Sequence, residues 1–228
     1  MRKLVLLLSA LLLTVAGVSA KIKPGHTTLL KGKNIAVFGD SYVRNHHEPV
    51  SYTWHYKFAK KYGMHYFNYG INGNCVALDR AQYGKAMYHR YGEMTDSIDY
   101  LVIIAGHNDA GLLDSIGIDG YRDKADLLCR ELKTKWPKAQ IVWFTPWRVK
   151  GYRGGNFEKV VKATKKVCRK YGIPVFDSAR DYTIKSDNDK FRELYFQNHG
   201  HGDRAHLNAK GHDLFEPVAE RFLLRVFK

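Results

Sequence analysis

The chain has 228 residues, of which 45% are hydrophobic, 13% aromatic and 26% charged, enough to bury one substantial core in a single domain and unlike a disordered chain, a collagen or a coiled coil. Three cysteines, Cys75, Cys129 and Cys168, are too few for a disulfide scaffold and lack the C-x-x-C pairing of a zinc ribbon; their redox state is left open as one pair and a leftover, or buried and inert thiols. The formal charge of +15 favours encounter with anionic surfaces or substrates, but the lysines and arginines are dispersed over polar helical positions with no recognisable nucleic-acid module, so no nucleic-acid partner is expected.

In chain order, residues 1–20 carry Arg2 and Lys3, an apolar run from Leu4 to Ala16, and Val18-Ser19-Ala20, the small-residue pattern that signal peptidase cuts. The run is shorter than the about 20 residues needed to cross a bilayer, and no cysteine follows it as a lipid attachment site. The expectation is a cleavable signal peptide over 1–20 and one domain over 21–228, exported to the periplasm or secreted, with no stable membrane insertion. Losing Arg2 and Lys3 lowers the charge from +15 to +13.

Farther on, short apolar runs alternate with amphipathic helical stretches, the pattern of parallel strands joined by crossover helices. Five runs read as strands: Asn34–Phe38, Met64–Asn68, Tyr100–Ala105, Gln140–Thr145 and Pro174–Phe176, rich in β-branched or aromatic residues and poor in charge. In the third crossover Tyr121, Ala125, Leu128, Cys129, Leu132 and Trp136 share one helical face before Pro137. In the fourth, Phe157, Val160, Val161, Thr164, Val167, Cys168 and Tyr171 do so before Gly172. A last helix carries Leu214, Phe215, Val218, Ala219, Phe222, Leu223 and Val226 on one stripe, and Pro217 within it is expected to bend or restart it. Ala77–Asp96 and Ser178–Arg204 lack a period and read as surface loops, where function commonly resides.

In an open parallel sheet, ligands gather outside the carboxyl ends of the strands. The first strand runs into Gly39-Asp40-Ser41, where a tight strand-to-helix turn leaves a serine exposed near a helix N-terminus, although an ordinary capping turn has the same composition. After the second strand, Asn68-Tyr69-Gly70-Ile71-Asn72-Gly73-Asn74 lets the backbone approach a ligand closely and point an amide at it, from Gly70 or Gly73. After the third, Gly106-His107-Asn108-Asp109 offers an asparagine amide able to donate to an oxyanion, and His107 reads as a space-filler. Before the last helix, Asp203-Arg204-Ala205-His206 puts a carboxylate and an imidazole within reach of one site, where His206 can act as a base toward Ser41.

These four pieces in this order resemble the blocks of the SGNH (GDSL-type) hydrolase family, over nearly the whole mature chain. The resemblance implies a three-layer α/β/α sandwich with a flavodoxin-like five-stranded parallel sheet of order 2-1-3-4-5. It implies Ser41 as nucleophile, His206 as base with Asp203 orienting it, and an oxyanion hole from the Ser41 and Gly73 amides and the Asn108 side chain, the pattern N-x-G-x-x-G favouring Gly73 over Gly70. Tyr42 stands where the family name implies leucine. The activity implied is ester hydrolysis through an acyl-serine, with no metal and no cofactor.

The rival chemistry is a metal site, because His199, His201, Asp203, His206 and His212 cluster within fourteen positions, but their spacing matches no metal-ligand motif. His46, His47, His55, His65 and His89 read as surface or partly packed residues. After the fourth strand, Trp147 and Tyr152 lie among Arg148, Lys150 and Arg153, suited to stacking on a sugar or gripping an anion, with packing an equal alternative for Trp147. No apolar trough shows among the polar residues of Ser178–Arg204, which favours short acyl esters of carbohydrate, as small molecules or glycans, with anionic ones suited to the chain's positive charge. A lipase or lysophospholipase, and a silent glycan-binding or anion-binding protein on the same scaffold, are the alternatives.

Overall fold

A computed structural model describes residues 29–149 and 155–227; the expected signal segment, Tyr152, Lys150 and Arg153 lie outside them. Five strands form one parallel sheet of order β2-β1-β3-β4-β5: β1 Asn34–Gly39, β2 His65–Gly70, β3 Tyr100–Ile104, β4 Gln140–Phe144 and β5 Val175–Phe176. Every expected strand is present, with ends moved by one or two residues. The register pairs Gly39 with both Gly70 and Ile104, so the carboxyl ends of the three strands nearest the site finish level with one another.

Side chains alternate across the sheet because successive residues of a strand point to opposite faces. Ala36, Phe38, Leu101, Ile103, Ile141 and Trp143 enter one core; Ile35, Val37, Tyr100, Val102, Val142 and Phe144 enter the other. The first is closed by α6 (Ile118–Lys135) and α7 (Asn156–Lys170), through the apolar stripes read from the sequence. The second is closed by α2 (Trp54–Lys61) and α9 (Ala209–Val226), led by Trp54, Phe58, Phe215 and Phe222. These two layers on one sheet are the expected sandwich. Burying a side chain of this size contributes about 1.5–3 kcal/mol, which is why the central strands β1, β3 and β4 are the fixed frame for everything at their tips.

Two expectations are corrected. Pro217 does not restart the last helix, which runs unbroken from Ala209 to Val226; Pro217 and Asp213 are both exposed, so the carbonyl left without its amide partner meets water. The two stretches without period are not plain loops. Ala77–Asp96 contains α3 (Met87–Arg90), and Ser178–Arg204 contains α8 (Asp189–Tyr195). Each helix is too short to reveal a period, and α3 is anchored by burial of Met87 and Arg90. Cys75, Cys129 and Cys168 are buried free thiols, and contact with Cys129 together with burial raises the Cys168 thiol, which suits the inert alternative. Among the described residues no helix is long and apolar enough to cross a membrane.

Candidate active site

The end of β1 fixes the place of Ser41. A side chain at Gly39 would meet the Ile104 carbonyl at 2.0 Å from its Cβ, so only glycine lets the strand finish flush against β3. Asp40 then caps α1 (Ser41–Arg44), accepting the Tyr42 amide at 2.9 Å. Ser41 is only 5% exposed, not left open at the turn as the sequence suggested, because its hydroxyl faces another side chain. His206 Nε2 lies 2.7 Å from Ser41 Oγ. On the other side of the ring, Nδ1 lies 2.8 and 3.0 Å from the Asp203 oxygens, which assigns the Nδ1 proton to the carboxylate and leaves the Nε2 lone pair for the serine.

Asp203 is placed by its own turn. One oxygen accepts the amides of Ala205 at 2.9 Å and His206 at 3.0 Å. Burial would push its carboxyl up, but the His206 hydrogen bond and charge, with those two amides, hold it below the ordinary carboxylate value. It is therefore ionised at neutral pH and stabilises any positive charge gained by His206.

The expected oxyanion donors come from Ser41 itself and from the loops after β2 and β3. Gly73 has φ +70, and a Cβ there would lie 2.5 Å from the Tyr83 ring, so both backbone and packing require glycine. Gly70 is excluded as the presenting residue, since its amide already donates to Asn68 Oδ1 at 2.9 Å. The Gly73 and Ser41 amides have no acceptor among the described residues. Asn108 Nδ2 donates to the Asn74 carbonyl at 2.9 Å and has a longer approach of 3.5 Å to Asp40 Oδ2; a ligand oxygen would take the place of the longer contact. Asp109 binds the second loop directly, accepting the Val76 amide at 3.0 Å and the Ala77 amide at 2.9 Å.

Several residues that build the site escaped sequence reasoning. Arg90 is buried beneath it and donates to the Gly39 carbonyl at 2.7 Å, the Tyr69 carbonyl at 2.9 Å and Asn74 Oδ1 at 2.9 Å, tying the tips of β1 and β2 to the glycine loop. Asp40 is fully buried nearby. Desolvation and Asp109 push its carboxyl up to about 8, against the Tyr42 amide and Arg90. Tyr42 packs edge-on against Trp147 at 4.3 Å between centroids, and its hydroxyl lies 3.0 Å from His107 Nδ1; burial holds His107 neutral, down to about 3. His107 is thus a packed partner of Tyr42, as a space-filler would be. His46, read as a surface or partly packed residue, lies against His206 with centroids 4.1 Å apart and planes 10° apart.

Trp147 is corrected as a sugar platform: it is 3% exposed, and its Nε1 donates to the Ala205 carbonyl at 2.9 Å, bracing the turn that carries His206. The sequence cluster of histidines also separates. His212 is buried and paired with Asn45 Oδ1 at 3.0 Å, and His199 is exposed, 3.2 Å from the Glu193 carbonyl. Among the described residues, the side chains close enough to share a metal ion are His46, Asp203 and His206, two of which already hold the serine arrangement. Beside them an open hollow of about 370 Å³ is lined by His46, His47, Glu48, Gln197, Asn198, His201, Gly202 and Asp203.

The profile of the family described as GDSL-like Lipase/Acylhydrolase matches residues 37–214. No curated protein matches the chain in sequence. Among solved structures, a protein from Lactobacillus plantarum is 21% identical with a TM-score of 0.72, covering 87% of this chain and 99% of its own. A member of the lipolytic protein G-D-S-L family from Veillonella parvula is 18% identical with a TM-score of 0.60, covering 85% and 100%. A carbohydrate acetylesterase from Sinorhizobium meliloti is 16% identical with a TM-score of 0.61, covering 83% and 98%. At these identities the likeness is one of fold.

Proposed function

Because the chain belongs to the GDSL-like lipase/acylhydrolase family, we propose that it is an exported serine esterase that hydrolyses carboxylic esters through an acyl-serine, with short acyl groups, acetyl above all, on carbohydrate as its substrates. The observation that carries this reading is the contact of Ser41 Oγ with His206 Nε2 at 2.7 Å, continued to Asp203 at 2.8 Å. A hydroxyl, a neutral imidazole and an ionised carboxylate in that line form the constellation that activates a serine.

In the proposed reaction His206 Nε2 takes the Ser41 proton as Oγ attacks the ester carbonyl. The charge that develops on the carbonyl oxygen is met by the Ser41 amide, the Gly73 amide and Asn108 Nδ2, donors fixed before the reaction begins. The imidazolium, steadied by Asp203, then gives its proton to the departing alcohol, leaving the acyl group on Ser41. A water molecule repeats the sequence, deprotonated by His206, and releases the acid.

The substrate class rests on the surroundings. Imidazole, amide and carboxylate groups line the hollow beside His206 and Asp203, which suits a hydroxyl-rich alcohol better than an acyl chain. The fold likeness to a carbohydrate acetylesterase points the same way. Export rests on the N-terminal sequence alone. The test is hydrolysis of nitrophenyl acetate, nitrophenyl palmitate and acetylated monosaccharides by the wild type and Ser41→Ala. The reading predicts Ser41-dependent turnover of the acetyl esters and little of the palmitate. A preference for palmitate would move the protein to the lipases, and turnover unaffected by Ser41→Ala would remove the serine mechanism.

A further inference from the structure

His46 is a histidine to which neither the sequence reading nor the proposed reaction gives a task. Its backbone is left-handed, with φ 49, directly after Asn45 with φ 67, and two adjacent non-glycine residues in that region cost of order 1–3 kcal/mol each. Several contacts hold them there. The Asn45 and His46 amides both donate to the Ser41 carbonyl, at 2.8 and 3.2 Å, and Asn72 Nδ2 donates to the His46 carbonyl at 3.2 Å. The Asn45 side chain is buried between Gln197 and His212. The segment leaving the nucleophile is thus pinned by the glycine loop on one side and by the chain around the final helix on the other, and the product of that pinning is the direction of one side chain.

That side chain lies nearly parallel to the His206 ring, and its Nε2 is 3.8 Å from Asp203 Oδ2. His47 packs on His46 at 3.8 Å between centroids. His46 Nδ1 is buried with no hydrogen-bond partner among the described residues. An imidazole tolerates a bare acceptor nitrogen better than a bare N–H, so the proton belongs on Nε2, toward the carboxylate. Desolvation, then His206 and His47, push His46 down to about 4 against the pull of Asp203, and it is neutral at neutral pH.

We propose that His46 is a positioning residue whose neutral ring backs the His206 imidazole, holding its Nε2 on Ser41 and its Nδ1 on Asp203; this rests on the serine-esterase reading above. An imidazole free to turn about its side-chain bonds spends part of its time off the serine. A flat, uncharged surface against one face restricts that turning without opposing the positive charge that His206 carries in the transition state.

The test compares His46→Ala with His46→Phe, the latter restoring a flat ring without nitrogen. On nitrophenyl acetate, His46→Ala is expected to lose about tenfold in kcat with KM within about twofold, a part of the roughly 10²–10⁴-fold that a positioned general base contributes, and His46→Phe to recover most of the loss. The downfield Nδ1 proton resonance of His206 gives a reading independent of any substrate. It should be sharp in the wild type and His46→Phe and broadened by exchange in His46→Ala. An unaltered kcat and resonance in His46→Ala, or a His46→Phe protein as impaired as His46→Ala, would overturn the proposal. Absence of Ser41-dependent turnover in the wild type would count against the esterase reading instead, while the resonance would still report on His46.

Discussion

Ser41 sits at the tip of a central strand in surroundings assembled from distant segments, whereas Asp203 and His206 belong to one turn that largely holds itself together. On the serine side, Arg90 reaches the ends of two strands and the glycine loop, and Asp40 and Asp109 are both fully buried. On the base side, Asp203 accepts the amides two and three residues ahead and the imidazole of the same turn. Outside help comes from Trp147, which binds the Ala205 carbonyl, and from the Gln197 amide, which donates to the His206 carbonyl at 2.9 Å. Buried charge is costly unless compensated, so substitutions under the serine should damage folding and activity together, and those in the turn should damage activity alone.

The largest effects test chemistry with the frame left standing. Ser41→Ala should lower ester hydrolysis by about 10⁶-fold with little change in Tm. Asp203→Asn keeps an oxygen for the two turn amides, so it should fold normally and lose about 10⁴-fold in kcat; a large fall in its Tm would break the contrast between the two sides. Arg90→Met tests the opposite expectation. It strips the Gly39 and Tyr69 carbonyls of a buried donor and should cost about 3–5 kcal/mol in denaturant unfolding, and stability equal to the wild type would show the serine side to be as self-supporting as the turn.

Smaller effects sharpen the comparison. Asn108→Ala should reduce kcat by about 10²–10³-fold with KM little changed. Asp40 predicts a pH signature: its carboxyl is raised in the folded chain to about 8 from an ordinary 3.8, so the folded state holds the proton more tightly than the unfolded one. The stability linked to that proton is present in full below pH 3.8 and is lost as pH rises toward 8. Thermal melts of the wild type should therefore fall relative to those of Asp40→Asn over that window, and parallel curves would show that Asp40 is not the group responsible.

The same contrast separates what the sequence discloses from what it conceals. The sandwich is legible because the uninterrupted apolar runs of β1, β3 and β4 and the stripes of α6 and α7 are local patterns that burial on both faces of the sheet satisfies. Asp203 and His206 are legible because their spacing is short, and Ser41, Gly73 and Asn108 because each stands just past a strand. Arg90 is hidden in a four-residue helix with no period, and two of its three partners are backbone carbonyls, which carry no residue identity. His46 gives no sign of its role because left-handed backbone is not written in the residue type. Trp147 misleads for a related reason: an aromatic after a strand suits a rim and a core equally, and the carbonyl that decides between them is 58 residues away.

The most direct test of the whole is to identify the atom that carries the acyl group. Wild-type protein quenched with acid during turnover of nitrophenyl acetate and digested for mass spectrometry should show a single acetylated position, Ser41, and the adduct should vanish in His206→Ala. Turnover with no adduct at Ser41, or an equal adduct in His206→Ala, would contradict acyl transfer by the Ser41–His206 pair.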